Sequence, residues 1–208
     1  MKNNSKEIMS ILDTYIPEPK CTLEYSKDYE LLIATMLSAQ TTDARVNIVT
    51  KELFSKYDIF DLAKLDSSDI YEIIRPVGNG SKKSIYLINI AKSLVKDYNG
   101  HVPNDRKYLE SLSGVGHKTA NVVLANLFNE PTFAVDTHVD RVAKRLKIAT
   151  LNDDVLDVEQ KLMKYFPKDK WIRLHHQLLL FGRHFCKSQN PACNDCKLKP
   201  FCRVKKCK

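Results

Sequence analysis

Apolar side chains recur along this chain at helical spacing. Residues 5–15 set Ile8, Ile11, Leu12 and Tyr15 on one face, and Pro17 and Pro19 then end the run. Residues 29–39 are almost continuously apolar, without the β-branched dominance or flanking turns of a strand. They predict a buried helix with Asp28 as its cap. Helical patterning continues through 44–57 (Val46, Val49, Leu53), 68–75 and 82–97 (Ile85, Ile88, Leu94, Val95). Two more amphipathic helices are predicted over 153–166 and 168–185, the second anchored by Trp171, Leu174, Leu178 and Phe181. No stretch sustains the period of two that a strand requires. The fold class is all-α.

The most informative stretch is 112–128, LSGVGHKTANVVLANLF. Gly114 and Gly116 bracket Val115, and Ala120, Val123, Leu124, Leu127 and Phe128 then follow helical spacing. A short helical run, Tyr108–Leu112, precedes the glycines, so the segment reads as helix, hairpin, helix. Glycines let a backbone approach a ligand closely. The opening amides of a helix lack internal partners and carry the positive end of its dipole. Such a place suits phosphate. The dinucleotide fingerprint and the P-loop ending are missing, and no strand precedes the turn, which favours nucleic-acid backbone over a nucleotide. Lys118 opens the second helix, where the dipole disfavours its charged form. A neutral lysine suits Schiff-base chemistry; a charged one suits phosphate. The turn alone leaves both roles open.

Composition narrows the partners. The 208 residues carry a formal net charge of +8 and are 43% hydrophobic, enough for a folded core and suited to nucleic acid or an anionic surface. The first twenty residues hold no apolar segment of signal-peptide length, and no run is long enough to span a bilayer. A cytoplasmic, nucleoid-associated protein is expected, with reduced thiols. Four of the six cysteines, Cys186, Cys193, Cys196 and Cys202, are spaced C-x6-C-x2-C-x5-C. Structural zinc sites favour two short pairs, whereas iron–sulfur clusters accept longer, unequal spacers. The spacing favours a cluster and leaves zinc open. Cys21 and Cys207 fall outside the pattern.

Asp136 sits just before the helical run Val139, Val142, Ala143, Leu146, an N-cap position that would explain it structurally. A carboxylate there can equally assist a lysine nucleophile. His138, in the first turn, reads as a packed residue. Arg141, Lys144, Arg145 and Lys147 read as an exposed basic face that extends a DNA footprint.

Four segments, taken together, resemble the endonuclease III family of DNA glycosylases. L-x-G-V-G-x-K-T-A resembles its helix-hairpin-helix, with Ser113 where the family usually has proline. Leu37–Asp43, LSAQTTD, resembles the segment that carries a gap-filling glutamine. Val135–His138, VDTH, resembles the segment that holds its aspartate. The cysteine spacing matches its four-iron, four-sulfur loop. The resemblance implies Lys118 as nucleophile and Asp136 as catalytic carboxylate, with Gln40, Gly114, Val115, Gly116 and Thr119 at DNA. It also implies a [4Fe-4S] cluster on Cys186, Cys193, Cys196 and Cys202. In one loop this chain departs from the family. Asn79 and Gly80 stand where the family carries a bulky wedge, which leaves Val77 as the apolar candidate.

The implied architecture is two-lobed. A helical bundle over 22–131 contains the hairpin at about 107–128, and 1–21 return to join 132–208 in a cluster lobe. DNA would lie between the lobes, with Lys118 facing Asp136. The implied protein is a monomer that acts on double-stranded DNA bearing a damaged base or an abasic site. It would remove oxidised pyrimidines and cleave abasic sites. The alternatives are an enzyme acting mainly as an abasic-site lyase and a non-catalytic iron–sulfur DNA-binding module.

Overall fold

The computed structural model describes residues 4–204, and among these it holds eleven α-helices, three short 3-10 turns and no strand. The helices are α1 (Ser5–Tyr15), α2 (Asp28–Leu37), α3 (Asp43–Lys56), α4 (Ile59–Leu62), α5 (Ser67–Ile74) and α6 (Gly80–Tyr98). They continue with α7 (Arg106–Ser111), α8 (His117–Phe128), α9 (Thr137–Arg145), α10 (Val155–Tyr165) and α11 (Trp171–His184). The chain divides into two compact units, Cys21–Phe128 and Met1–Lys20 with Asn129–Lys208.

The first unit is built on α2. A helix apolar on every side must be buried on every side, and Leu31, Leu32, Ile33, Ala34 and Leu37 are fully enclosed. Helices α3, α6 and α8 pack against it, α5 packs on α6 and α3, and α4 packs on α6. The cap predicted at Asp28 is displaced by one residue. Asp28 is the first helical residue and Lys27 precedes it. Glu30 reaches back to accept from the Ser26 and Lys27 amides at 2.7 and 3.2 Å, which closes the helix start. Asp28 is thereby freed to accept from the Val102 amide at 2.8 Å, 74 positions away in sequence.

Helix α4 escapes sequence periodicity because it is one turn long; Asp58 caps it by accepting from the amides of Phe60 and Asp61. On α6 the sequence-predicted Ile88 and Leu94 are buried, but the inner stripe is partly rotated. Ile85 is 48% exposed, while Lys83, Leu87, Ile90, Ala91 and Leu94 face inward. A lysine on the apolar stripe is the unexpected member.

The second unit packs α11 on α9, α10 on α9, and α1 on α11. Ile8, Leu12, Phe133, Val139, Val142, Leu174, Leu178 and Phe181 form its core. The N-terminal helix is tied down by a polar clasp as well as by Ile8 and Leu12. Asp13 accepts from Arg173 at 2.7 and 3.1 Å and from Gln177 at 2.8 Å. The ring of Tyr15 packs against Phe181 and Phe185.

The hydrogen bond from Arg173 holds the Asp13 carboxyl below its ordinary value, against the opposing effect of burial. A carboxyl depressed in the folded state stabilises above its unfolded pKa, about 3.9, and loses that contribution as pH falls through the folded value. Asp13→Asn is therefore less stable than the parent at pH 7 in thermal melts. The gap narrows below about pH 4 and closes once the parent carboxyl is protonated. A gap that stays constant through the acid range would show that the ion pair contributes nothing.

Candidate functional site

The hairpin is formed by α7, Leu112–Gly116 and α8. Asp105 caps α7 by accepting from the Tyr108 amide at 3.2 Å. Leu109, Leu112, Val115, Ala120, Val123 and Leu124 are buried and fasten both helices to the bundle. The Val115 side chain is thus an anchor, so only its backbone is left to meet a ligand. Glu110 accepts from Arg106 at 3.3 Å and lies 3.1 Å from His117, which links α7 to the start of α8. Gly114 has φ +76°, and a Cβ there would lie 2.5 Å from Cδ2 of Tyr86. Beyond Gly116, Lys118 is exposed on the first turn of α8 and Thr119 is half-buried.

Two more turns of this unit present exposed residues. Gln40 follows α2 in a left-handed conformation, φ 57°, and Asn79 precedes α6 at φ 51°. Asparagine adopts this region readily, whereas glutamine rarely does, so Gln40 is the strained member of the pair, and such strain is concentrated at functional sites. The expectation for Val77 is overturned. Its side chain is 1% exposed and belongs to the core, so it cannot wedge between bases. Gly80 is also explained: a Cβ there would meet Cα of Arg75 at 2.8 Å, which bars a bulky residue without moving backbone.

Asp136 caps α9. Its Oδ1 accepts from the amides of His138 and Val139, both at 2.8 Å, and Oδ2 takes part in neither bond. His138 is packed as expected, with Nδ1 3.2 Å from Nη2 of Arg141. The exposed basic face predicted for this helix is a different object. Arg141 donates to the carbonyls of Gly182 and Cys186 at 2.8 and 3.1 Å. Arg145 donates to Lys187 O at 2.7 Å and to Cys186 Sγ at 3.2 Å. Lys144 pairs with Asp140 at 2.8 Å, and only Lys147 is exposed. The two arginines turn inward because the last turn of α11 and the loop after it offer carbonyls that would otherwise lack donors.

That loop carries the cysteines. Cys186, Cys193, Cys196 and Cys202 line one pocket with Arg145, Phe181, Phe185 and Lys199. Burial, and after it the neighbouring sulfurs of Cys186 and Cys202, push the Cys196 thiol up. The Val204 amide donates to Cys202 Sγ at 3.4 Å. Crowded sulfurs with N–H donors aimed at them suit a cationic group that thiolates neutralise. Among the described residues no three ligating side chains converge as for a single ion. Four sulfurs line the pocket, the donor set that a cysteine-ligated metal group requires. Cys193 is disulfide-bonded in this structure, and ligation requires its thiolate. Cys21 is a free, half-buried thiol, and Cys207 lies outside the described residues. Lys187, Lys197 and Lys199 are exposed, whereas Arg203 donates to Ala149 O at 2.9 Å and holds the loop down.

Sequence reasoning passed over Lys83. The signal lay in its register with Leu87, Ile90 and Leu94 on α6.

Residues 33–168 match the profile of the HhH-GPD superfamily base excision DNA repair proteins. Endonuclease III of Bacillus subtilis is 44% identical over 204 residues, covering 96% of this chain and 93% of that protein. Endonuclease III of Escherichia coli is 39% identical over 200 residues, covering 96% and 94%. A solved non-covalent endonuclease III–DNA complex superposes with a TM-score of 0.93 at 43% identity, covering 98% of this chain and 95% of that one. A trapped endonuclease III–DNA covalent intermediate gives 0.90 at 43% identity, covering 96% and 95%.

Gly114→Ala places a Cβ on a left-handed residue and against a ring, costing at least about 1–2 kcal/mol. Its melting temperature falls by several degrees. Gly116→Ala, with open space around its Cβ, stays within about 0.5 kcal/mol of the parent. Equal losses in thermal melts of the two variants would show that the Gly114 turn is not constrained in this way.

Proposed function

Because this chain belongs to the endonuclease III family, within the HhH-GPD superfamily of base excision DNA repair proteins, we propose that it excises oxidised pyrimidines from double-stranded DNA and cleaves the abasic site that results. The observation that carries the chemistry is the exposed amine of Lys118 on the first turn of α8, directly after the Gly114 turn. Backbone amides at this helix start bind a phosphate of the damaged strand, which sets the amine beside the sugar it attacks.

Lys118 Nζ, as the free amine, attacks C1′ of an extruded nucleotide. The glycosidic bond breaks and the base leaves with its electron pair. The sugar ring opens to a Schiff base on Nζ. Loss of a C2′ proton then expels the 3′ phosphate by β-elimination. Asp136 supplies the carboxylate that helps the lysine shed its proton and offsets positive charge developing on the sugar. Its support is the division of labour between its oxygens, with Oδ1 committed to capping α9. Gln40 enters the gap left by the extruded nucleotide. Its exposed, left-handed turn supports that role.

Thiolates of Cys186, Cys196 and Cys202, joined by Cys193 once its disulfide is reduced, would hold a [4Fe-4S] cluster, which would supply a structural cross-link and no bond-making step. The loop so held would present the exposed Lys187, Lys197 and Lys199 to phosphates. The loop at Asn79 favours a second emphasis. With Val77 buried and Gly80 closed to bulk, this turn has no large apolar wedge. The balance of activity shifts toward abasic sites, which need no base expelled.

Borohydride trapping on two duplexes, one abasic and one with an oxidised thymine, tests the reading. Covalent adducts form on both and vanish in Lys118→Gln, which still binds DNA. Adducts on the abasic duplex alone would restrict the protein to lyase chemistry. Adducts that survive Lys118→Gln would sink Lys118 as nucleophile. Asp136→Asn retains the cap, since asparagine caps as well as aspartate. Its melting temperature holds while trapping slows by about 10²-fold or more. Cys196→Ser loses the brown absorbance and weakens DNA binding; full binding by a colourless variant would overturn the structural role of the cluster.

A further inference from the structure

Lys83 is 5% exposed and sits on the inner stripe of α6. Burying an ammonium is costly unless each of its protons meets an acceptor. Its Nζ donates to Leu37 O at 2.8 Å, Ala39 O at 2.7 Å and Val77 O at 2.7 Å, with Thr41 Oγ1 at 3.2 Å. Thr41 Oγ1 in turn donates to Val77 O. The acceptors come from two turns. Leu37, Ala39 and Thr41 flank Gln40 where α2 ends, and Val77 opens the Gly78–Asn79 turn. Burial alone lowers the ordinary lysine pKa here.

Three carbonyl oxygens aimed at one point repel one another. The ammonium converts that repulsion into attraction, and it does so at the negative end of the α2 dipole. A methionine would fill the stripe beside Leu87 and Ile90 without desolvating a charge, so packing does not call for lysine. The carbonyls do. The two turns so joined each carry an exposed non-glycine residue with positive φ, Gln40 and Asn79. Glutamine is rarely found in this region, and a strained residue persists only where the surroundings over-determine it.

We propose that Lys83 is a positioning residue for damage recognition: its ammonium joins the Gln40 turn to the Asn79 turn and presents both side chains to DNA in one fixed relation. The inference rests on the proposed function, in which these turns meet the duplex. Lys83 itself touches no DNA. It specifies where the two contacting side chains stand.

The test compares Lys83→Met, Thr41→Val, Gln40→Ala and the Lys83→Met/Gln40→Ala double variant. Binding is measured to an undamaged duplex and to one bearing a tetrahydrofuran abasic analogue, alongside melting temperature and amide exchange over 38–42 and 77–80. In Lys83→Met, affinity for undamaged DNA holds, while the preference for the abasic analogue falls about tenfold, the scale of lost charge-assisted hydrogen bonds. Exchange quickens in both turns, and adding Gln40→Ala costs nothing further. Thr41→Val shifts preference in the same direction by less. A folded Lys83→Met that keeps the preference, with Gln40→Ala as damaging in it as in the parent, would reduce Lys83 to a core staple and overturn the proposal. If Lys83→Met does not fold, Thr41→Val decides: an unchanged preference overturns the proposal. A Gln40→Ala variant of the parent with full preference sinks the DNA role of Gln40, and this proposal with it, even where exchange in Lys83→Met still shows both turns loosened.

Discussion

Every α-helix leaves its first amides and last carbonyls without internal partners, and a chain built of helices alone must close many such ends. In this protein the candidate functional residues stand at those ends. Lys118 is on the first turn of α8, Asp136 is the N-cap of α9, Gln40 follows the last turn of α2, and Asn79 precedes the first of α6. The cysteine loop follows α11. Unpaired amides are what a phosphate needs, and unpaired carbonyls are what a cation needs. The requirement that stabilises the fold therefore also creates its candidate binding surfaces.

Cations close the carbonyl ends in two ways. A lysine does so inside the first unit, where one compact ammonium meets three oxygens from two turns. Arginines do so inside the second unit, where planar forks spread over several carbonyls and a sulfur of the cysteine loop. The difference follows from geometry. Three acceptors converging on a point suit a rotatable –NH3+ group, and acceptors strung along a loop suit a guanidinium. Basic residues that composition would assign to DNA are thus partly committed to the protein itself, which leaves Lys118, Lys187, Lys197 and Lys199 among the exposed ones.

In the proposed mechanism, Asp136 combines a structural and a chemical role in one side chain. A cap requires one oxygen, held by the His138 and Val139 amides. A carboxylate has two. The cap fixes the rotamer, and a fixed rotamer is what a positioned charge needs. The same economy explains why asparagine is the informative replacement, since it separates the shape of the residue from its charge.

The longer helices, the hairpin, the Asp136 cap and the cysteine spacing were legible in the sequence because each is local. Helical periodicity repeats within a turn or two, a glycine turn is written in adjacent residues, and a cap lies within three positions of the amides it serves. The four motifs that resemble the endonuclease III family are local in the same sense. Other features were decided by tertiary structure. Lys83 bonds to Leu37, 46 positions away, and Arg145 to Lys187, 42 positions away. Val77 is buried because the bundle closes over it, and Asp28, with Glu30 closing the helix start, accepts from an amide 74 positions along the chain. A long polar side chain can point outward to water or inward to a carbonyl. Which occurs depends on whether the fold delivers an acceptor to its tip, and spacing along the chain does not encode that delivery.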